Sequence, residues 1–474
     1  MKVIYVMADS LRRDHVSVYG APPWWEIHTP NLERFAKTAA IFENAYIGSF
    51  PTVPNRRDTH LGHGDKGLPF NRWKPLDADE VTFPALLQEA GIPSMLITDT
   101  QNNVTGANNI QRDYASWTLN RGQEGDRHWL DDSVKLHYPV PKRFIRYREA
   151  MWHQVLVNRA GRRKETDWFA PGTYTLAIEW LEKNYTRDDF FLWIDTFDPH
   201  EPWDPPKYYI DRYDPGYSGR IFDAPSYGIR KEMGITDREL QNIRARYAGE
   251  VTMVDAWFGR LLDTLERLRI ADETVVIFTA DHGTNFDGPG DVGFLHKIPH
   301  AGADGFTLSA GRKMKKPIRY FPLSKNACRV PLMVRLPGLT RTKRVKPIVQ
   351  PWDMTTTILD LFGLPAQPRM IGTSLIPLIR GSAKTNRKVA VLGTSPRSAG
   401  AIGGLAQAMD GTYSYTQWRG ERGPALHHVV DDPNCTKNLA SADPATCKRL
   451  RRAIEEFMVA QGLARDWIDG YTKE

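Results

Sequence analysis

The stretch Thr274-Val275-Val276-Ile277-Phe278-Thr279-Ala280-Asp281-His282-Gly283 decides how this chain folds. A continuous apolar, β-prone run that meets Asp-His-Gly reads as a strand buried on both faces, with a polar turn at its carboxyl end. The chain opens on the same pattern, because residues 3–8 form an apolar run that ends in Asp9. Strands of this kind belong in a mostly parallel sheet covered by helices, and such sheets place their chemistry on loops beyond the strands' carboxyl ends. Asp9, Asp281 and His282 are therefore expected at one sheet edge.

Working outward, the apolar spacing predicts strands over 3–7, 94–97, 190–194, 274–279 and 331–335. Helices are predicted over 30–40, 83–90, 173–184, 237–268 and 352–362. Beyond about residue 384 the strand signals shorten (389–392, 414–418, 427–430), and a basic amphipathic helix follows over 445–461. The expected organisation is a large α/β domain over 1–384, with a mixed, mostly parallel sheet between helices, and a small α+β subdomain over 385–474.

The 474 residues include 41% hydrophobic and 11% aromatic side chains, enough for a large core, so a disordered chain is excluded. No internal repeat is visible. Lys+Arg 63 against Asp+Glu 56 leaves a formal charge of +7, which favours a small anionic substrate and is weak evidence for nucleic acid. The basic runs 162–164 and 312–316 read as solvated loop. No run is long enough to cross a membrane, and the opening run is too short for a signal-peptide core. Three cysteines, Cys328, Cys435 and Cys447, do not make an oxidised scaffold, and only Cys435 and Cys447 are close enough in sequence to suggest a local pair. Unless a leader is missing, a cytoplasmic location is expected.

Two carboxylates and an imidazole converging on a sheet edge make a site for a divalent cation, with Mn, Zn, Mg and Ca all compatible with the donors. Asp14, His15, Asp198 and His296 leave a second ion open. Thr52, in Pro51-Thr52-Val53-Pro54-Asn55-Arg56, stands at an expected helix start, where an anion is favoured. Its hydroxyl becomes an attacking alkoxide if a metal lowers its pKa. Arg56, one turn on, would hold an ester oxygen. His200, in Asp198-Pro199-His200-Glu201-Pro202-Trp203, would protonate a leaving group or bind the oxyanion. Lys297, on a glycine-rich loop, would add a cation. Taken singly, an Asp after a strand is an ordinary turn residue, Thr-x-Pro is an ordinary helix start, and a loop His or Lys needs no function.

In this order, however, the segments resemble a family. The chain is similar to the sulfatases of the alkaline phosphatase superfamily and, at several positions, more closely to the phosphonate monoester hydrolases and phosphodiesterases. Thr52-Val53-Pro54-Asn55-Arg56 resembles the Cys/Ser-x-Pro-x-Arg signature, His200-Glu201-Pro202 the His-x-Pro loop, and Asp281-His282-Gly283 the Asp-His-Gly block. The resemblance implies that Asp9, Thr52, Asp281 and His282 ligate one divalent metal, while Arg56, His200 and Lys297 surround the transferring group.

Two departures bear on the chemistry. The sulfatase nucleophile is a Cys or Ser oxidised to formylglycine, and Thr52 cannot become an aldehyde because its secondary alcohol would give a ketone. A phosphorylated threonine, by contrast, can be resolved by in-line attack of water on phosphorus. Secondly, Thr98-Asp99-Thr100-Gln101-Asn102 stands where many sulfatases carry a cationic Gly-Lys-Trp-His segment, and Asp9-Ser10 stands where many carry Asp-Asp. Fewer local charges suit a monoanionic ester. The expected activity is metal-dependent hydrolysis of phosphodiesters or phosphonate monoesters. A sulfate-ester hydrolase acting without formylglycine and a noncatalytic anion-binding relative are the alternatives. The oligomeric state is left open, a homo-oligomer included.

Overall fold

The computed structural model describes residues 1–105, 108–293, 300–301, 319–320, 322–382, 387–395, 404–419 and 423–472. Eight strands form the central sheet: β1 (Lys2–Ala8), β2 (Ala40–Ala45), β3 (Ser94–Thr98), β4 (Ser116–Leu119), β5 (Phe190–Thr196), β6 (Thr274–Ala280), β9 (Leu332–Arg335) and β10 (Lys343–Val349). The two-residue strands β7 (His300–Ala301) and β8 (Arg319–Tyr320) pair only with each other. The order across the large sheet is β10-β2-β9-β6-β1-β5-β3-β4. All neighbours run parallel except β9, which is antiparallel to both β2 and β6. The expected mixed, mostly parallel sheet is present.

Every residue of β1, β5 and β6 is buried, as central strands covered on both faces must be. The longest cover is the helix Asp237–Arg267, opened by a reciprocal cap in which the Thr236 hydroxyl accepts from the Glu239 amide and the Glu239 carboxylate accepts from the Thr236 amide. Leu240, Ile243, Tyr247, Val251, Val254, Phe258, Leu261 and Leu265 recur along it at three- and four-residue spacing and are all buried in the core.

Some expectations change in detail. The helix expected over 30–40 ends at Ala36, and Ala40 begins β2. The alanines there fit either element, and only the pairing of β2 with β9 and β10 decides between them. The edge strands β4 and β10 were not anticipated, since β10 carries Lys343, Arg344, Lys346 and Pro347, which keep a sheet edge from pairing further. A four-stranded antiparallel sheet, β11 (Ala390–Thr394), β12 (Leu405–Met409), β13 (Tyr413–Trp418) and β14 (Ala425–His428), lies late in the chain. The helix Pro444–Ala460 packs on it through Leu450, Ile454 and Met458. All three cysteines are free thiols, and Cys447 Sγ points at the Ala440 carbonyl, so the suggested Cys435–Cys447 pair is not formed. Arg162 is not a solvated side chain either, because its guanidinium pairs with Asp204 at 2.7 Å; the run 312–316 lies outside the described residues. No helix among the described residues is long and apolar enough to cross a membrane.

Candidate active site

Parallel pairing places Ala8 opposite Ala280 on one side and Thr196 on the other, so Asp9, Asp281 and the loop after β5 leave the sheet at the same edge. Asp9, Asp281 and His282 are fully buried, and their ligating atoms all lie within 4.8 Å of one another. His282 Nε2 lies 3.6 Å from Asp281 Oδ2 and 4.0 Å from Asp9 Oδ1. Thr52, the first residue of the helix Thr52–Leu61, brings its Oγ1 to 3.5 Å from the same Nε2.

Local backbone shapes this cluster. Ser10 takes a left-handed conformation (φ 61°), which costs a side-chain-bearing residue energy and is kept where surroundings enforce it. In that conformation its amide donates to Asp281 Oδ1 at 3.0 Å and its hydroxyl to Asp9 Oδ1 at 2.8 Å. Tyr247 locks the turn by donating to the Ser10 carbonyl at 2.8 Å and accepting from the Arg12 amide at 2.7 Å. The His282 amide adds a bond to Asp281 Oδ1 at 2.7 Å, while His282 Nδ1 donates to the Gly283 carbonyl at 2.8 Å. That last bond selects the tautomer whose Nε2 lone pair faces the carboxylates and Thr52.

Gly283 has a second constraint. A Cβ there would stand 2.0 Å from the Asn326 carbonyl oxygen, a backbone atom that cannot swing aside. Gly283→Ala should therefore destabilise the fold by about 1–3 kcal/mol through overpacking. It should also slow turnover by shifting the carbonyl that orients His282. Thermal unfolding and steady-state kinetics on the purified variant check this, and an unchanged Tm refutes the steric argument.

Arg56 sits below the cluster and is fully buried. Its Nε and Nη2 form a two-pronged pair with Asp195 at 2.8 and 2.7 Å. Its Nη1 donates to Asp281 Oδ2 at 2.7 Å, Asp9 Oδ2 at 3.2 Å and the Thr52 carbonyl at 3.2 Å. Burial alone would raise the Asp281 carboxyl, but the adjoining His282 ring, the Arg56 guanidinium and the bond from Ser10 outweigh it and hold Asp281 below the usual carboxylate range. These guanidinium nitrogens hold carboxylates and the backbone of the helix that carries Thr52.

His200 is buried on the loop after β5, its Nδ1 donating to the Glu201 carbonyl at 2.6 Å and its ring stacked on Phe197 at 4.0 Å between centroids. Lys297 and His296 lie outside the described residues. Among the described residues considered for a second ion, Asp14, His15 and Asp198 each make other contacts. Asp14 is held by Arg12 and by His15, and Asp198 Oδ2 accepts from the Ala170 amide at 3.0 Å. Another acidic trio, Asp65, Asp77 and Glu80, is neutralised by Arg57, Arg72 and Lys74.

Two contributors, Asp195 and Tyr247, were not singled out in the sequence, and a third, Ser10, stood out only as the residue where many sulfatases carry Asp. Asp195 had a readable signal, a lone acid inside the otherwise apolar Phe190-Phe191-Leu192-Trp193-Ile194 run. The roles of Ser10 and Tyr247 had none, since they depend on one φ angle and on the approach of the long helix to the turn after β1.

The donor set fits a divalent cation. Two buried carboxylates and an imidazole bring ligating atoms within 4.8 Å of one another, with the Thr52 hydroxyl 3.5 Å from the imidazole Nε2, an oxygen and nitrogen donor set of the kind such an ion takes. A buried acid and imidazole cluster at the carboxyl edge of such a sheet, beneath a helix start bearing a hydroxyl, defines an ester hydrolase of the alkaline phosphatase-like α/β class. Residues 2–364 match the Sulfatase family model, and the chain belongs to that family. It is similar to an arylsulfatase of Clostridium perfringens (25% identity over 433 residues, 81% of this chain and 79% of that protein). It is also similar to human arylsulfatase K (24% over 386 residues, 75% of this chain), of whose length it spans only 62%. The phosphonate monoester hydrolase of Agrobacterium radiobacter has the same fold, with a TM-score of 0.69 at 19% identity over 97% of this chain and 95% of that one.

Proposed function

We propose that this sulfatase-family hydrolase cleaves phosphodiesters or phosphonate monoesters, with Thr52 as nucleophile. The observation that carries the reading is a threonine hydroxyl, 3.5 Å from His282 Nε2, standing on the buried acid cluster where an aldehyde-forming residue would be needed for formylglycine chemistry. Asp9, Asp281, His282 and Thr52 would hold a divalent ion, which when bound lowers the pKa of the Thr52 hydroxyl and offsets the charge of the ester.

The residues then divide the work. Thr52 Oγ, its proton released to solvent as the alkoxide forms, attacks phosphorus, forming the Oγ–P bond as the P–O bond to the leaving group breaks. His200, its ring oriented by the Glu201 carbonyl, would give a proton to the departing oxygen. Water attacks the phosphorylated threonine in a second in-line step, breaking the Oγ–P bond and restoring the hydroxyl. The Lys297 side chain would add a cation at the same anion.

The turn after β3 supports a monoanionic substrate. Where many relatives place cations, Asp99 is buried and accepts from the Phe197 amide and the Thr173 hydroxyl, and burial together with Asp198 pushes its pKa well above the usual range. That turn brings no positive charge to the site, and a doubly charged monoester is correspondingly less favoured.

The names of the relatives favour a second reading, hydrolysis of sulfate esters without formylglycine. One panel separates the two: bis-aryl phosphate, aryl phosphonate monoester, aryl phosphate and aryl sulfate, each with chelator-stripped enzyme and after adding back Mn, Zn, Mg or Ca. Diester or phosphonate turnover should dominate, vanish on stripping and return with metal. Turnover confined to aryl sulfate overturns the phosphorus-ester reading. Absence of all four activities in metal-replete enzyme favours an anion-binding relative.

A further inference from the structure

Asp195 is the one acid in the apolar strand β5, buried among hydrophobic neighbours at a cost that needs a return. Both carboxylate oxygens face Arg56, at 2.7 and 2.8 Å. The same carboxylate accepts from Asn103 Nδ2 at 2.7 Å and from the Thr100 hydroxyl at 3.2 Å. Asn103 and Thr100 belong to the turn that follows β3, a strand paired with β5 so that Thr98 lies opposite Asp195.

On the other side of Arg56 stand Asp9 and Asp281. A chain of direct contacts thus runs from the β3 turn through Asp195 and Arg56 to the two acidic members of the metal-type cluster. Its charge balance is informative. Asp9, Asp195 and Asp281 set three negative charges against the single positive charge of Arg56, leaving two, the amount that one divalent cation neutralises. Without Asp195, Arg56 would compete with the cation for the same carboxylates, and its planar fork would lose the partner that fixes its rotation.

We propose that Asp195 is a positioning residue that orients Arg56 and completes the charge complement for a divalent ion, with Asn103 and Thr100 orienting Asp195 in turn. This rests on the reading of Asp9, Thr52, Asp281 and His282 as a metal-bearing nucleophile site. It gives the β3 turn, cationic in many relatives, a different task in this chain: supporting a carboxylate instead of contacting the anion.

The test titrates Mn²⁺ calorimetrically into chelator-stripped full-length wild type, Asp195→Asn and Asn103→Ala, followed by kinetics on bis-aryl phosphate at saturating Mn²⁺ and by thermal unfolding. Asp195→Asn should weaken Mn²⁺ binding about 10–100-fold, the usual effect of losing an outer-layer partner. It should also lower kcat while leaving KM within about twofold, since the orientation acts in the transition state. Asn103→Ala keeps the Arg56–Asp195 pair and should shift Mn²⁺ affinity and kcat in the same direction by less than about tenfold; it carries the test if Asp195→Asn does not fold. Wild-type Mn²⁺ affinity and kcat in the variants, with only Tm lowered, overturn the proposal while leaving the metal reading intact. Wild type that binds no Mn²⁺ and works fully in chelator overturns both.

Discussion

Thr52→Ala is expected to lower kcat by about 10³-fold or more on every ester the wild type cleaves, because removal of a nucleophile leaves only binding and electrostatic stabilisation. The fold should survive. Thr52 is the first residue of its helix, so the change removes one hydroxyl and one methyl from a buried side chain, and the helix keeps the Asn55 amide bond to the Pro51 carbonyl. The stability cost should be about 1 kcal/mol. Thr52→Ser retains the hydroxyl and should keep most of the activity, which makes the pair of variants more decisive than either alone. The measurement is steady-state turnover at saturating metal beside a thermal melt. Substantial turnover by a folded Thr52→Ala protein excludes Thr52 as nucleophile, whatever the substrate.

Arg56→Met should have the largest effect on stability. The substitution keeps much of the side-chain volume but removes a cation in direct ion pairs with three buried carboxylates, and breaking a buried pair from one side costs about 3–5 kcal/mol. Its pH dependence should also invert. In the wild type Asp281 is held below its unfolded-state pKa, so its contribution is present above about pH 4 and is lost as pH falls through the folded value. Without the guanidinium, burial dominates at Asp281 and raises its carboxyl. The folded state then binds more protons than the unfolded state, and stability falls as pH rises. Urea denaturation of both proteins in chelator, from pH 5 to pH 8, tests the sign directly. A divalent ion should restore part of the loss, because it supplies the positive charge the variant lacks. A variant as stable as wild type at pH 8 in chelator would show that Arg56 does not neutralise the cluster.

These expectations come from residues of unequal visibility. Asp9, Asp281 and His282 were legible because parallel strands buried on both faces are continuous apolar runs, and a polar residue at the end of one stands out. Thr52 and His200 were legible through their motifs. The edge strands and the end of the first helix were not, because alanine-rich and charged edge segments carry little periodicity and only pairing partners decide their state. The engagement of Arg56 was hidden for another reason. An arginine one turn beyond Thr52 can face substrate or carboxylates equally well, and its partner Asp195 lies 139 residues away on a strand.

Sequence by itself therefore determined the α/β class, the sheet edge at which Asp9, Asp281 and His282 gather, the family, and the presence at position 52 of a threonine, which cannot form an aldehyde. The tertiary structure alone decided which tautomer His282 adopts, why Ser10 takes a left-handed turn, and that Arg56 is spent on Asp9, Asp195 and Asp281. The physical reason is that strand burial and nucleophile chemistry are properties of local residue type. Hydrogen-bond direction and charge balance in a dry site are set by groups that meet only when distant strands pair.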